Sequence, residues 1–142
     1  MRNAELGTRN WNSKIRTPKS KLERVMDNRD LRERTKRFAL KIIKVVEILS
    51  KGRTADIIGR QLIKAGTSVG ANYRAACRAK STADFISKMG IVEEEADETI
   101  FWMELLIEAG LVHKDDLIPH LDEANQILAI TVSSIRTARK GK

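Results

Sequence analysis

A single cysteine, Cys77, stands in this chain, which rules out an internal disulfide and fits a reducing compartment. The only histidines are His113 and His120, too few for most metal sites built from several imidazoles. Prolines are equally scarce, at Pro18 and Pro119, so long stretches are open to uninterrupted helix. No apolar run approaches the ~20 residues of a membrane span. The opening MRNAELGTRNWNSK lacks the apolar core of a signal peptide, and the expected location is the cytoplasm.

What is present is charge, mostly of one sign. The 142 residues suit one domain large enough to bury a core without disulfides or metals. A net charge of +8 and a pI near 9.9 favour an anionic partner such as RNA, DNA or an anionic surface. The excess is local. Sixteen Lys and Arg face six Asp and Glu up to Arg53, whereas eleven face thirteen from Thr54 onward.

Residues 1–29 form a basic segment without sustained periodicity, carrying Trp11 and broken by Pro18. They are expected to be a flexible arm, either a source of phosphate contacts or a solvated tail. The remainder, residues 30–142, is expected to be one bundle domain. A first amphipathic helix runs from about Asp30, a candidate N-cap, to Ser50, with Gly52 as its stop. Phe38, Ile42, Val45, Val46 and Leu49 share its apolar face.

Thr54 is positioned to cap a second helix, with Asp56 near the positive end of its dipole. Its stretch RQLIKAGTSVGANYRAACRAK, Arg60 to Lys80, contains no acidic residue. At 100° per residue, Ile58, Leu62, Ala65, Val69, Asn72, Tyr73 and Ala76 share one side. Arg60, Lys64, Thr67, Ala71, Arg74 and Arg78 share the other, a stripe of about 27 Å at 1.5 Å per residue. The glycines and alanines of this helix cost propensity, about 1 kcal/mol per glycine, which close approach of a neighbouring helix can offset. Gly66 to Gly70 is not a phosphate-binding loop, since no strand precedes it and no Gly-Lys-Ser/Thr ends it.

Ser81-Thr82-Ala83-Asp84 resembles a capping box and opens a third helix that ends near Ala109-Gly110-Leu111. Phe85, Met89, Val92, Ala96, Ile100, Met103 and Ile107 form its core face. Ile91, Phe101, Trp102, Leu105 and Ala109 gather on a second apolar side, whose cover is either another subunit or the N-terminal arm. Glu93, Asp97, Glu104 and Glu108, with Glu94, Glu95 and Glu98 nearby, make this helix acidic. No Glu-x-x-His occurs, so a di-iron site and any other metal or cofactor are not expected. These carboxylates could instead pair with Arg60, Arg74 and Arg78, within or between subunits.

A last helix follows Val112–Asp116, with Pro119 expected in its first turn. Leu117, Leu121, Ala124, Leu128, Thr131, Val132 and Ile135 line its inner face, and Arg136, Arg139 and Lys140 suit its C-terminal end. Four amphipathic helices joined by short turns make an all-α, antiparallel up-down-up-down four-helix bundle.

The runs FALKIIKVVEIL, IGRQLIKAGTSVGANYRAACRAKS and DFISKMGIVEEEADETIFWMELLIEAGLV resemble the bacterial 23S rRNA intervening-sequence proteins. The resemblance covers about Arg34 to the end and centres on Gln61 through Tyr73. Many members carry Ala-Glu-Gly after the asparagine, where this chain has Tyr73-Arg74-Ala75, so no residue here inherits that glutamate's role. The resemblance implies a homopentameric ring, often basic on one surface. It further implies similarity to the accessory protein of diversity-generating retroelements, which binds nucleic acid and a reverse transcriptase. Gln61, Ser68 and Asn72 are expected to be buried hydrogen-bonding residues that fix helix register.

The expected function is a non-enzymatic oligomeric scaffold. It binds nucleic acid by phosphate neutralisation at Arg60, Lys64, Arg74, Arg78 and Lys80, with little base specificity for want of interleaved aromatics. The expected subunit contacts are Ile91, Phe101, Trp102 and Leu105. The alternative is a protein-interaction adaptor whose stripe meets acidic residues. No Ser/His/Asp or Cys/His spacing supports an enzyme.

Overall fold

A computed structural model describes the backbone of residues 21–141 and the side chains of residues 30–141. Among these residues the chain forms a four-helix bundle without strands. The helices are α1 (Lys21–Glu47), α2 (Arg53–Cys77), α3 (Thr82–Glu108) and α4 (Lys114–Lys140). Among the described residues, each packs on the helix that follows it, α1 also meets α4 along a sparser seam, and the backbones of the diagonal pairs, α1 with α3 and α2 with α4, stay apart. No helix among the described residues is long and apolar enough to cross a membrane.

The first helix starts earlier than its periodicity suggested. Asp30 lies inside α1 and caps nothing, because the stretch from Lys21 to Arg29 contains neither glycine nor proline and is rich in helix formers. Residues 21–29, expected in the arm, therefore belong to the helix. Residues 1–20, with Trp11 and Pro18, lie outside the described residues. The core face of α1 likewise begins earlier, at buried Leu31 and Thr35, and continues through Phe38, Ile42 and Val45. Val46 and Leu49 are half-buried against it.

Thr54 does not cap α2. The helix begins at Arg53, Gly52 occupies the N-cap without a side-chain bond, and Thr54 falls within the first turn. Asp56 stands in that turn as expected from the helix dipole. The small residues explain how α2 sits on α1. A Cβ on Gly66 would lie 2.8 Å from Ile42 Cγ2, and one on Gly70 would meet Thr35 Oγ1 at 3.3 Å. At the other end, Gly59 faces Val46 and Leu49, so residue numbers fall along α1 as they rise along α2. The run Gly66–Gly70 is thus helical interior, its backbone N–H groups committed to the helix ladder.

Ser81 caps α3, accepting the Asp84 N–H at 3.0 Å, while the Asp84 carboxylate accepts the Lys80 N–H at 3.1 Å. The shorter aspartate reaches the residue before the cap, where a glutamate would return to the cap itself. At the far end Gly110 has φ 72°, and the Gly110 and Leu111 amides donate to the Ile107 and Leu106 carbonyls. This double-bonded stop requires a left-handed residue, which glycine supplies without a Cβ clash. Met89, Val92, Ala96, Thr99, Ile100, Met103 and Leu106 are buried. Phe85 and Ile107 reach the core only in part.

Pro119 lies beyond the first turn of α4, because His113 caps the helix and Lys114 begins it. The ring is exposed, and the helix forgoes one backbone bond there. Leu117, Ala124, Ile127, Ile130, Thr131 and Ile135 are buried, whereas Leu121 and Leu128 are half-buried against the core.

Candidate nucleic-acid interface

The stripe is an outward surface, but the helix carries less of it than the spacing suggested. Arg60, Lys64 and Arg74 are exposed on α2, Arg78 is exposed at its C-cap, and Lys80 is exposed in the turn beyond. A side of α2 that packs on α1 and α3 is built of small and apolar groups, so its long cations are left to the solvent side. Between them, Thr67 donates to the Ile63 carbonyl at 2.7 Å and Ser68 to the Lys64 carbonyl at 2.6 Å. These hydroxyls bond back onto their own helix.

Within one copy, the acidic helix forms no ion pair with the stripe among the described residues. Arg60 bonds Asp56 of its own helix at 3.0 Å, an exposed pair four residues apart and worth little. Among the described residues, no ion pair joins Lys64, Arg74 or Arg78 to α3. Lys64 comes near enough to Glu95 to favour its charged form, yet the Glu95 pKa is raised. Partial burial is the larger cause, and the neighbouring Glu98 adds repulsion and a hydrogen bond.

Gln61, Ser68 and Asn72 are half-buried rather than buried. Asn72 donates to the Ser68 carbonyl at 2.8 Å, so Ser68 and Asn72 satisfy their own helix and do not pin a neighbour. The expectation failed because a polar residue at the edge of a helix face finds the carbonyl four residues back before it finds another helix.

The stripe was legible from residue spacing, but its extension was not. Lys51 and Arg53 join Arg60 in lining a cavity of about 460 Å³ where α1 turns into α2, together with Val46, Leu49 and Gly59. The signal for it was the basic excess before Thr54, to which Lys51 and Arg53 belong.

The second apolar side of α3 is divided by the structure. Ile91 and Phe101 are exposed, at 40% and 49%. Trp102 and Leu105 are half-buried, and Trp102 leans on the core while its Nε1–H points to Glu98 at 3.4 Å. Phe101 stands edge-on to Trp102, with ring centroids 5.0 Å apart.

Comparison with known proteins places this geometry. No curated protein matches the chain. A crystal structure of a protein of unknown function from the S23 ribosomal protein family of Bacteroides thetaiotaomicron VPI-5482 matches with a TM-score of 0.72 and 30% identity. The match covers 77% of this chain and 97% of that one. The family of the 23S rRNA-intervening sequence protein matches residues 28–133, which include the α2 stripe and the whole of α3. The chain belongs to the 23S rRNA-intervening sequence protein family.

Proposed function

We propose that this chain is a non-enzymatic, oligomeric helical scaffold that binds structured RNA through the outer face of α2. The observation that carries the reading is the row Lys64, Arg74 and Arg78, exposed and without an ion-pair partner among the described residues. A family described by 23S rRNA makes RNA the polyanion of choice. Each cation that meets a phosphate releases condensed counterions, so affinity comes from charge and count rather than from base reading.

The scaffold is an antiparallel up-down-up-down bundle, supported by the opposed numbering of α1 and α2 at their glycine contacts. It assembles as a homopentameric ring in the cytoplasm, and ring symmetry multiplies a stripe that is weak in one copy. A role beside a reverse transcriptase, as an accessory of a retroelement, is the finer form of the same proposal.

A second reading has its own support. The carboxylates from Glu93 to Glu108 pair with no cation of their own chain among the described residues, which suits a protein-interaction adaptor. Light scattering of the full chain with and without a short structured RNA separates the two. A shift to a defined complex mass supports the scaffold, and an oligomer that takes up neither RNA nor DNA at low salt supports the adaptor.

A further inference from the structure

Two helix faces stay uncovered in a single copy, and their chemistries are complementary. On α1, Arg37, Leu40, Lys41 and Lys44 fall within about 100° of arc, Ile48 follows in the turn that leaves the helix, its amide still bonded to the Lys44 carbonyl, and all five are exposed. On α3, Ile91, Glu94, Glu98, Phe101, Leu105 and Glu108 succeed one another at intervals of three and four residues, the spacing of a continuous stripe. The apolar groups are large on both. Leu40 and Ile48 are 52% and 77% exposed, against 40% and 49% for Ile91 and Phe101.

The charges are opposite, and Glu98 alone among them is already engaged, accepting the Trp102 Nε1–H at 3.4 Å and sharing a hydrogen bond with Glu95. Among the described residues, neither the three α1 cations nor Glu94, Glu98 and Glu108 form an ion pair. No Lys or Arg occurs between Met89 and Ala109. The two helices are not neighbours, since each packs on α2 and α4, and they occupy diagonal corners of the bundle. Their outer faces therefore point away from each other, and one copy cannot satisfy its own complementarity.

We infer that the outer face of α1 docks on the outer face of α3 in a second copy of this chain. The inference rests on the oligomeric part of the proposed function and supplies its contact. Arg37, Lys41 and Lys44 meet the carboxylates of Glu94, Glu98 and Glu108, while Leu40 and Ile48 cover Ile91 and Phe101. Because the two surfaces differ, the contact is head-to-tail, the kind whose repetition builds a ring when the rotation between copies closes and a filament when it does not. The α2 stripe is the poorer counterpart for α3. Its middle offers only Thr67 and Ala71, and its one large apolar residue, Ile57, lies at one end. Docking through α1 leaves the α2 cations of every copy free.

The test is sedimentation of four full-length variants beside the parent. Lys41→Glu with Lys44→Glu reverses α1, and Glu94→Lys with Glu98→Lys reverses α3. Each alone is expected to fall to the monomer mass of 16.0 kDa, and an equal mixture of the two to sediment as a heavier species than either. The chain carrying all four substitutions is expected to regain the parent's mass. Arg74→Glu with Arg78→Glu is expected to keep it. Circular dichroism checks that each variant is helical, and the mixture decides even if the fourfold chain fails to fold. An α1 reversal that leaves the mass unchanged, while the α3 reversal dissolves it, overturns this contact and leaves the oligomeric reading standing. So does dissolution by Arg74→Glu with Arg78→Glu, which would make α2 the counterpart. A parent that is monomeric at every concentration overturns both.

Discussion

The Arg34 guanidinium of α1 grips the Glu123 carboxylate of α4 through two bonds, Nε to Oε2 at 2.7 Å and Nη2 to Oε1 at 2.8 Å. Gln126 accepts a further bond from Nη2 at 2.5 Å. The three side chains bridge the seam between the first and last helices, the sparsest of the seams between neighbouring helices. Glu123 raises the Arg34 pKa still further above its ordinary range, so this guanidinium does not titrate under working conditions.

Arg34→Ala should therefore loosen the seam. The expected loss is about 1–3 kcal/mol, since a part-buried carboxylate and amide are left without their donor. Arg34→Lys should recover only part of it, because an ammonium cannot form the two-pronged bond. Urea unfolding measures the difference, and an unchanged midpoint in Arg34→Ala would mean that apolar contacts alone close the bundle.

Two glycines should respond oppositely to alanine. At Gly66 the new Cβ would stand 2.8–3.1 Å from three atoms of Ile42, with costs of about 1–3 kcal/mol for overpacking. At Gly90 nothing lies within 4 Å, so Gly90→Ala should stabilise by about 0.5–1 kcal/mol through helix propensity. Thermal melts of the two variants should move in opposite directions.

The start of α3 carries an acid-sensitive device. Ser81→Ala removes the N-cap and should cost about 1 kcal/mol. The Asp84 pKa is lowered, first by the Lys88 ammonium at 2.6 Å and then by the Lys80 N–H. A depressed carboxylate stabilises the fold above its unfolded pKa, and that contribution disappears as pH falls through the folded value. Asp84→Asn should thus flatten the acid limb of a stability-versus-pH curve, and an unaltered limb would place its origin elsewhere.

Glu95 should behave in the opposite sense. Its pKa is raised by partial burial and by Glu98, so ionising it opposes folding once the pH exceeds the unfolded carboxylate range. Glu95→Gln is expected to be the more stable protein at neutral pH, with the advantage vanishing in acid. Equal stability of the two at neutral pH would contradict that sign.

The number of helices, the stop at Gly110 and the cap at Ser81 were legible because each is written in neighbouring residues. Periodicity likewise separated the packed side of α2 from its cations, since Leu62, Ala65, Val69, Tyr73 and Ala76 recur with the helix turn. The true start of α1 was not legible, because its first turns carry too few apolar residues to declare a face. Nor was the Arg34 clasp, whose two ends lie 89 residues apart and meet only once the bundle is closed. The polar edge residues Ser68 and Asn72 misled for a related reason. Spacing fixes the angle at which a side chain leaves the helix, but not whether it bonds back to its own carbonyls.

The most direct test of the central claim is the salt dependence of RNA binding by the parent and by Arg74→Glu with Arg78→Glu. The parent's affinity should fall steeply with salt, and the variant should bind more weakly, its slope reduced by about one for each phosphate no longer neutralised. Equal affinity and an equal slope in the two proteins would contradict the account, and the outer face of α2 would not be the surface that meets RNA.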